Sequence, residues 1–182
     1  MRSFESFIVS YVFMLQKYTK FCIYPKKAVI LQHKLKNVGK MSVHVQNSRM
    51  TTTRLRKMKQ AGEKIAMLTS YDYTLTRLLD EAGIEMILVG DSASNIVCGN
   101  RYTLPITVEE MIFLTKGVVR AAEHALVVID MPFGSYQVSE EQAVSNALKM
   151  MKESGADAVK LEGGEEILPA IRHMVQAGVP VR

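Results

Sequence analysis

Three carboxylates and one lysine sit where chemistry could be done. Asp91 follows the apolar run Met86-Ile87-Leu88-Val89-Gly90, Asp130 closes Leu126-Val127-Val128-Ile129, and Glu162 follows Val159-Lys160-Leu161. Each run reads as a strand. A lone Asp after a strand ordinarily caps the next helix or turns the chain. Acids at the same end of three successive strands form a different pattern, because the carboxyl ends of parallel strands carry the active site in α/β architectures. Gathered there, three carboxylates repel one another unless a cation lies among them. Hard oxygen ligands suit Mg²⁺ or Mn²⁺ rather than zinc, so Asp91, Asp130 and Glu162 are candidate metal ligands. Lys160 lies two residues before Glu162, which puts both side chains on one side of the strand. An ammonium there suits an anionic substrate.

The elements that must position these residues recur in a regular beat from residue 64. Residues 65–70 are a short apolar run, and Leu75, Leu78, Leu79 and Ala82 follow at i, i+3, i+4, i+7, the stripe of an amphipathic helix stopped by Gly83. After the second run comes a longer loop through Asn95, Gly99, Asn100 and Pro105. Thr107 with Glu110, and Ser139 with Gln142, have capping-box spacing and open two further helices. A helix is predicted over 168–176, ending at Gly178, and Val179-Pro180-Val181 starts a fifth run. Apolar strands alternating with amphipathic helices mean a parallel sheet covered by helices. No Gly-rich phosphate turn follows the first strand, where Ser70-Tyr71-Asp72-Tyr73 stands instead, which weakens a dinucleotide-binding reading. A (β/α)₈ barrel needs eight strands and about 250 residues. The 119 residues from Lys64 onward hold four βα units and the start of a fifth strand, so the fold expected is such a TIM-type barrel truncated after about four units.

The bulk numbers divide the chain in two. Residues 1–60 carry 13 Lys+Arg against one acid, Glu5, whereas residues 61–182 carry 10 against 17, so the net charge of +5 hides a basic first third and a mildly acidic domain without a nucleic-acid footprint. Residues 1–50 show no sustained periodicity and are read as a basic extension outside the fold, with a start at Met41 or Met50 preferred over a targeting segment or a binding arm; residues 51–182 are read as the domain, opened by a short basic helix. The longest apolar run, around residues 7–15, is far short of the about 20 residues a membrane span needs. Two isolated cysteines, Cys22 and Cys98, imply no disulfide framework and fit a reducing, cytoplasmic setting. His124 and His173 lack partners at ligand spacing and suit surface or capping roles, and Tyr71 and Tyr73 are read as packing.

Five ordered blocks carry a resemblance: Thr69-Ser70-Tyr71-Asp72-Tyr73, Val89-Gly90-Asp91-Ser92, Thr103-Leu104-Pro105-Ile106-Thr107, Asp130-Met131-Pro132-Phe133 and Val159-Lys160-Leu161-Glu162-Gly163-Gly164. In order and spacing they resemble the N-terminal half of ketopantoate hydroxymethyltransferases. The resemblance implies transfer of a hydroxymethyl group from 5,10-methylenetetrahydrofolate to 3-methyl-2-oxobutanoate through a Mg²⁺-stabilised enolate, giving 2-dehydropantoate for pantothenate and coenzyme A synthesis. It also implies Mg²⁺ amid Asp91, Asp130 and Glu162, with Asp91, Ser92, Asp130 and Lys160 holding the oxo acid and Lys160 in the catalytic set. The partners it implies are the oxo acid, the folate and further copies of the same subunit, with no nucleic acid and no membrane. Ala93-Ser94 stands where Leu-Gly is the commoner family pattern. The family's proton-accepting Glu falls beyond residue 182, so an inactive truncated fragment is one alternative. A Mg²⁺-dependent oxo-acid enzyme akin to phosphoenolpyruvate mutase or isocitrate lyase is the other.

Overall fold

The computed structural model describes residues 48–182. The expectation for the basic extension therefore lies outside the described residues, save for Ser48, Arg49 and Met50. These belong with the domain: Met50 is buried, its N–H donates to the His124 carbonyl, and the Arg49 guanidinium pairs with Asp157.

Helix α1 (Thr52–Gln60) is capped by Thr51, whose hydroxyl accepts from the Arg54 N–H. Then β1 (Met67–Thr69), α2 (Tyr73–Glu81), β2 (Met86–Val89), a short α3 (Ala93–Ile96), α4 (Val108–Ala121), β3 (Leu126–Asp130), α5 (Glu140–Ser154), β4 (Ala158–Lys160), a 3₁₀ turn (Glu165–Ile167) and α6 (Leu168–Gln176) follow in order. The sheet runs β1-β2-β3-β4 and every pairing is parallel. The predicted fifth run meets β4 through a single parallel bridge between Val159 and Val181.

Side-chain alternation along the strands creates two buried faces. Ile87, Val89, Val127, Ile129 and Val159 pack against Met111, Val118, Ala147, Met150 and Met174 of the helices. Met86, Leu88, Leu126, Val128 and Ala158 form a second cluster with Met50, and Leu55 and Met58 of α1 rest on it. Burial on both faces of β2, β3 and β4 explains why these strands read as unbroken apolar runs, while β1 is largely exposed.

Helix α4 begins with the full capping box: the Thr107 hydroxyl accepts from the Glu110 N–H at 3.2 Å and the Glu110 carboxylate accepts from the Thr107 N–H at 2.8 Å. At α5, Ser139 accepts from the Gln142 N–H. Gly155 ends that helix in the left-handed region, φ 81°. Two expectations change in detail. The leucine stripe of α2 is only half buried, and the residues it buries fully are Thr76 and Asp80. Thr76 shares a 2.8 Å hydrogen bond with the Ser70 hydroxyl. The loop after β2 also contains α3, which no periodicity foreshadows because it is a single turn.

Candidate active site

The parity that separates the two faces also decides which side chains meet at the carboxyl ends of the strands. Val128 and Ala158 lie on the second face, so Asp130 and Lys160, two residues further along, lie on it as well. They are paired in register across β3 and β4. The Lys160 ammonium donates to both Asp130 oxygens at 2.9 Å and to Glu162 Oε1 at 2.5 Å. Asp130 is 3% exposed, whereas Glu162 reaches into solvent. The Asp91 N–H donates to Asp130 Oδ2 at 3.3 Å. Ser92, one residue on, shares a 2.8 Å hydrogen bond with the Tyr71 hydroxyl beyond β1.

Burial pushes the Asp130 carboxyl above the ordinary aspartate range, against the hydrogen bonds from Lys160 and the Asp91 amide, and the Asp91 charge adds to the rise. Burial also opposes the Lys160 charge, but its hydrogen bonds to Glu162 and Asp130 outweigh that cost and hold the ammonium above its usual range. Lys160 is therefore a fixed positive charge on the floor of the site.

Tyr136 was not singled out by the sequence. Its hydroxyl donates to the Glu162 carbonyl at 2.9 Å and accepts from the Glu162 N–H at 3.3 Å. The phenol is buried, which raises its pKa, and the Glu162 and Asp130 charges raise it further. It clamps the peptide that carries Glu162. The pairing spans 26 residues, and only its place in the loop after Asp130 could have drawn attention to it.

The structure thus joins Asp130, Lys160 and Glu162, reaches Asp91 through its backbone, and ties Ser92 to Tyr71. It does not gather three carboxylates: among the described residues no three acid, His or Cys side chains lie close enough to share a metal ion. The Lys160 ammonium stands between Asp130 and Glu162 instead. A divalent cation still fits a smaller donor set, since Mg²⁺ is commonly held by one or two carboxylates with water and substrate oxygens. Asp91 and Asp130, linked by the hydrogen bond from the Asp91 N–H to Asp130 Oδ2, are the candidates for such a pair. An open cavity of about 530 Å³ lies to one side, lined by Ser139, Glu140, Glu166 and Ala170, and shares only Tyr136 with this cluster.

Solved structures share this fold. A 2,3-dimethylmalate lyase of the PEP mutase/isocitrate lyase superfamily superposes with a TM-score of 0.54 at 18% identity, over 71% of this chain and 50% of that one. An oxaloacetate acetylhydrolase does so with 0.54 at 14% identity, over 70% and 48%. Sequence relatives lie much nearer. The 3-methyl-2-oxobutanoate hydroxymethyltransferase of Bacteroides fragilis is 58% identical over 133 residues, 73% of this chain and 49% of the relative. Those of Phocaeicola vulgatus and Porphyromonas gingivalis are 59% and 54% identical over the same shares. The chain spans about half the length of these relatives. The sequence pattern of ketopantoate hydroxymethyltransferases matches residues 49–182, and the chain belongs to that family.

Proposed function

We propose that this chain supplies the oxo-acid half of a hydroxymethyltransferase site, in which 3-methyl-2-oxobutanoate takes a hydroxymethyl group from 5,10-methylenetetrahydrofolate to give 2-dehydropantoate. The observation that carries the reading is the Lys160 ammonium, fixed between buried Asp130 and exposed Glu162 at the strand ends. In this reading Lys160 attracts the substrate carboxylate, and the Ser92 hydroxyl donates a hydrogen bond to the same anion. Asp91 and Asp130 hold Mg²⁺, and Glu162 stays on Lys160 or meets the ion through water. When bound, the ion supplies positive charge to the 2-oxo oxygen, which makes the neighbouring C3–H easier to ionise. Tyr136 keeps the Glu162 peptide in place while the anion enters. By family resemblance the group that accepts the C3 proton is a glutamate at a later strand end, so the part of the reaction assigned to these residues is binding and orienting the oxo acid.

The same reading completes the fold as a (β/α)₈ barrel. A strand spacing of about 4.8 Å would put β1 and the fifth run about 19 Å apart in a flat sheet. Yet the Arg182 side chain reaches the Met67 sulfur of β1, so the sheet curls around its second face. Four more strands would close it, and several complete copies would assemble in a cytoplasmic setting. Among the described residues no helix is long and apolar enough to cross a membrane.

The test is NMR titration of the 182-residue chain with 3-methyl-2-oxobutanoate, with and without Mg²⁺. Metal-dependent binding that disappears in Asp130→Asn and Lys160→Met is expected. Binding indifferent to the metal and to both substitutions would overturn the reading.

A further inference from the structure

We infer that Tyr71 and Gly90 are positioning residues that hold the Ser92 hydroxyl toward the oxo acid; the inference rests on the reading that Ser92 meets that substrate. Three observations converge on the Ser92 side chain. Ser92 precedes the short helix α3, the place where a serine ordinarily caps, yet its side chain makes no capping hydrogen bond. Its hydroxyl is held instead by the Tyr71 phenol at 2.8 Å, from the connection after β1, 21 residues away. On the other side stands Gly90, where an added Cβ would lie 2.9 Å from Ser92 Oγ and 3.8 Å from Asp130 Oδ2. Gly90 is not one of the glycines with left-handed backbone, so an alanine is permitted there by φ. What the alanine would displace is the Ser92 hydroxyl, which can move only by turning to another rotamer and leaving Tyr71.

The contact also gives the hydroxyl a direction. A serine hydroxyl donates one proton and accepts through two lone pairs, and a tyrosine hydroxyl can do either. With Tyr71 donating to Ser92, the serine keeps its own proton free for an anion. An arriving carboxylate or polarised 2-oxo oxygen favours that polarity over the reverse, and each hydrogen bond strengthens the next. Tyr71 and Gly90 therefore act on substrate through Ser92.

The experiment uses the 182-residue chain with Tyr71→Phe, Gly90→Ala and Ser92→Ala. The Hα–Hβ couplings of Ser92 report its rotamer without any ligand. One rotamer is expected in the unsubstituted chain, averaging in Tyr71→Phe and a different rotamer in Gly90→Ala, with unchanged melting temperatures. Affinity for 3-methyl-2-oxobutanoate with Mg²⁺ should fall about tenfold in each, the scale of one hydrogen bond to a charged group. Neither substitution should lower affinity further in the Ser92→Ala background, because each acts only through that hydroxyl. Unchanged Ser92 couplings in both variants, or losses that add to that of Ser92→Ala, would overturn the inference. Should Tyr71→Phe fail to fold, Gly90→Ala carries the same test. Altered couplings with unchanged affinity would overturn the substrate role of the arrangement. An unsubstituted chain that binds no oxo acid would sink the proposed function, while the couplings still decide whether Tyr71 and Gly90 position Ser92.

Discussion

The two ends of the sheet use buried aspartates in opposite ways. At the amino end, Asp80 accepts the backbone N–H groups of Glu123, His124 and Ala125, the last at 2.7 Å, and the His124 ring nitrogen Nδ1 at 2.9 Å. Its neighbours there behave alike: Glu85 accepts from the Ala66 N–H, and Asp157 from the Val127 N–H. At the carboxyl end, Asp130 accepts one backbone N–H, at a longer 3.3 Å, and otherwise faces the Lys160 ammonium. The two aspartates are almost equally buried, 5% and 3% exposed, yet their carboxyls move in opposite directions. Burial pushes both up; at Asp80 the hydrogen bonds from Ala125, His124 and Glu123 overcome it and lower the pKa, whereas at Asp130 burial prevails. Fixed backbone donors make a carboxylate part of the frame. A side-chain ammonium shared with a solvent-exposed carboxylate leaves it available to a ligand or a metal ion.

If that contrast is correct, removing the two carboxylates has different consequences. Asp80→Ala removes the acceptor of three N–H groups just before β3; the Ala125 donor is buried and costs about 1–3 kcal/mol when unsatisfied, and the partly exposed Glu123 and His124 donors add to it. The expected loss is about 3 kcal/mol or more in urea unfolding followed by circular dichroism. Asp130→Asn should cost far less stability and abolish oxo-acid binding. Equal stability losses at the two sites would erase the distinction.

Acid should separate them next. Asp80 is depressed in the fold, so the unfolded chain binds the proton more readily, and the stability Asp80 contributes is complete above its unfolded pKa and lost as pH falls through the folded value. Unfolding followed between about pH 5 and pH 2 should show this falling limb, and Asp80→Asn should flatten it. Asp130 is raised, so its sign is reversed: its contribution is present at low pH and fades as pH rises through its folded pKa. A limb that survives Asp80→Asn unchanged would assign the acid sensitivity elsewhere.

The same contrast explains what was legible in the sequence. Local signals were: the Thr107 and Ser139 caps, the strand runs, and α6, which spans the predicted 168–176. So was the row of acids at the strand ends, because parity and strand ends are local properties. Partnerships across the fold were not. Nothing local to Asp80 announces three amides 43–45 residues away, and the half-buried leucine stripe of the same helix lies beside the face that Thr76 and Asp80 bury. Nor does the sequence announce that the Lys160 ammonium stands between Asp130 and Glu162. Lys160 and Glu162 share a side of the strand, and the ammonium satisfies two of the acids itself.

Tyr136→Phe is a smaller test, confined to the carboxyl end. It removes one hydroxyl that both donates to and accepts from the Glu162 peptide. A stability cost of about 1 kcal/mol is expected, the net worth of an ordinary hydrogen bond. The effect on oxo-acid affinity should be the more visible one, because the residue that follows Lys160 and Leu161 is loosened. Unchanged affinity would make Tyr136 a plain packing residue.

The smallest effect should come from a carboxylate belonging to neither end. Glu109 pairs with Lys149 across α4 and α5 at 2.6 Å, with Glu109 largely in water and Lys149 half-exposed. The ion pair lowers the Glu109 pKa and raises that of Lys149, so the attraction is present. An exposed pair nevertheless loses side-chain freedom when it forms and is screened by salt, so its net contribution is slight. Glu109→Gln should leave the urea midpoint unchanged, and added salt should bring the two proteins closer still. A shift approaching that of Asp80→Ala would mean that having any cationic partner, rather than fixed backbone donors around a buried group, is what makes a carboxylate structural. Asp130 would then have to be counted with the frame rather than with the site.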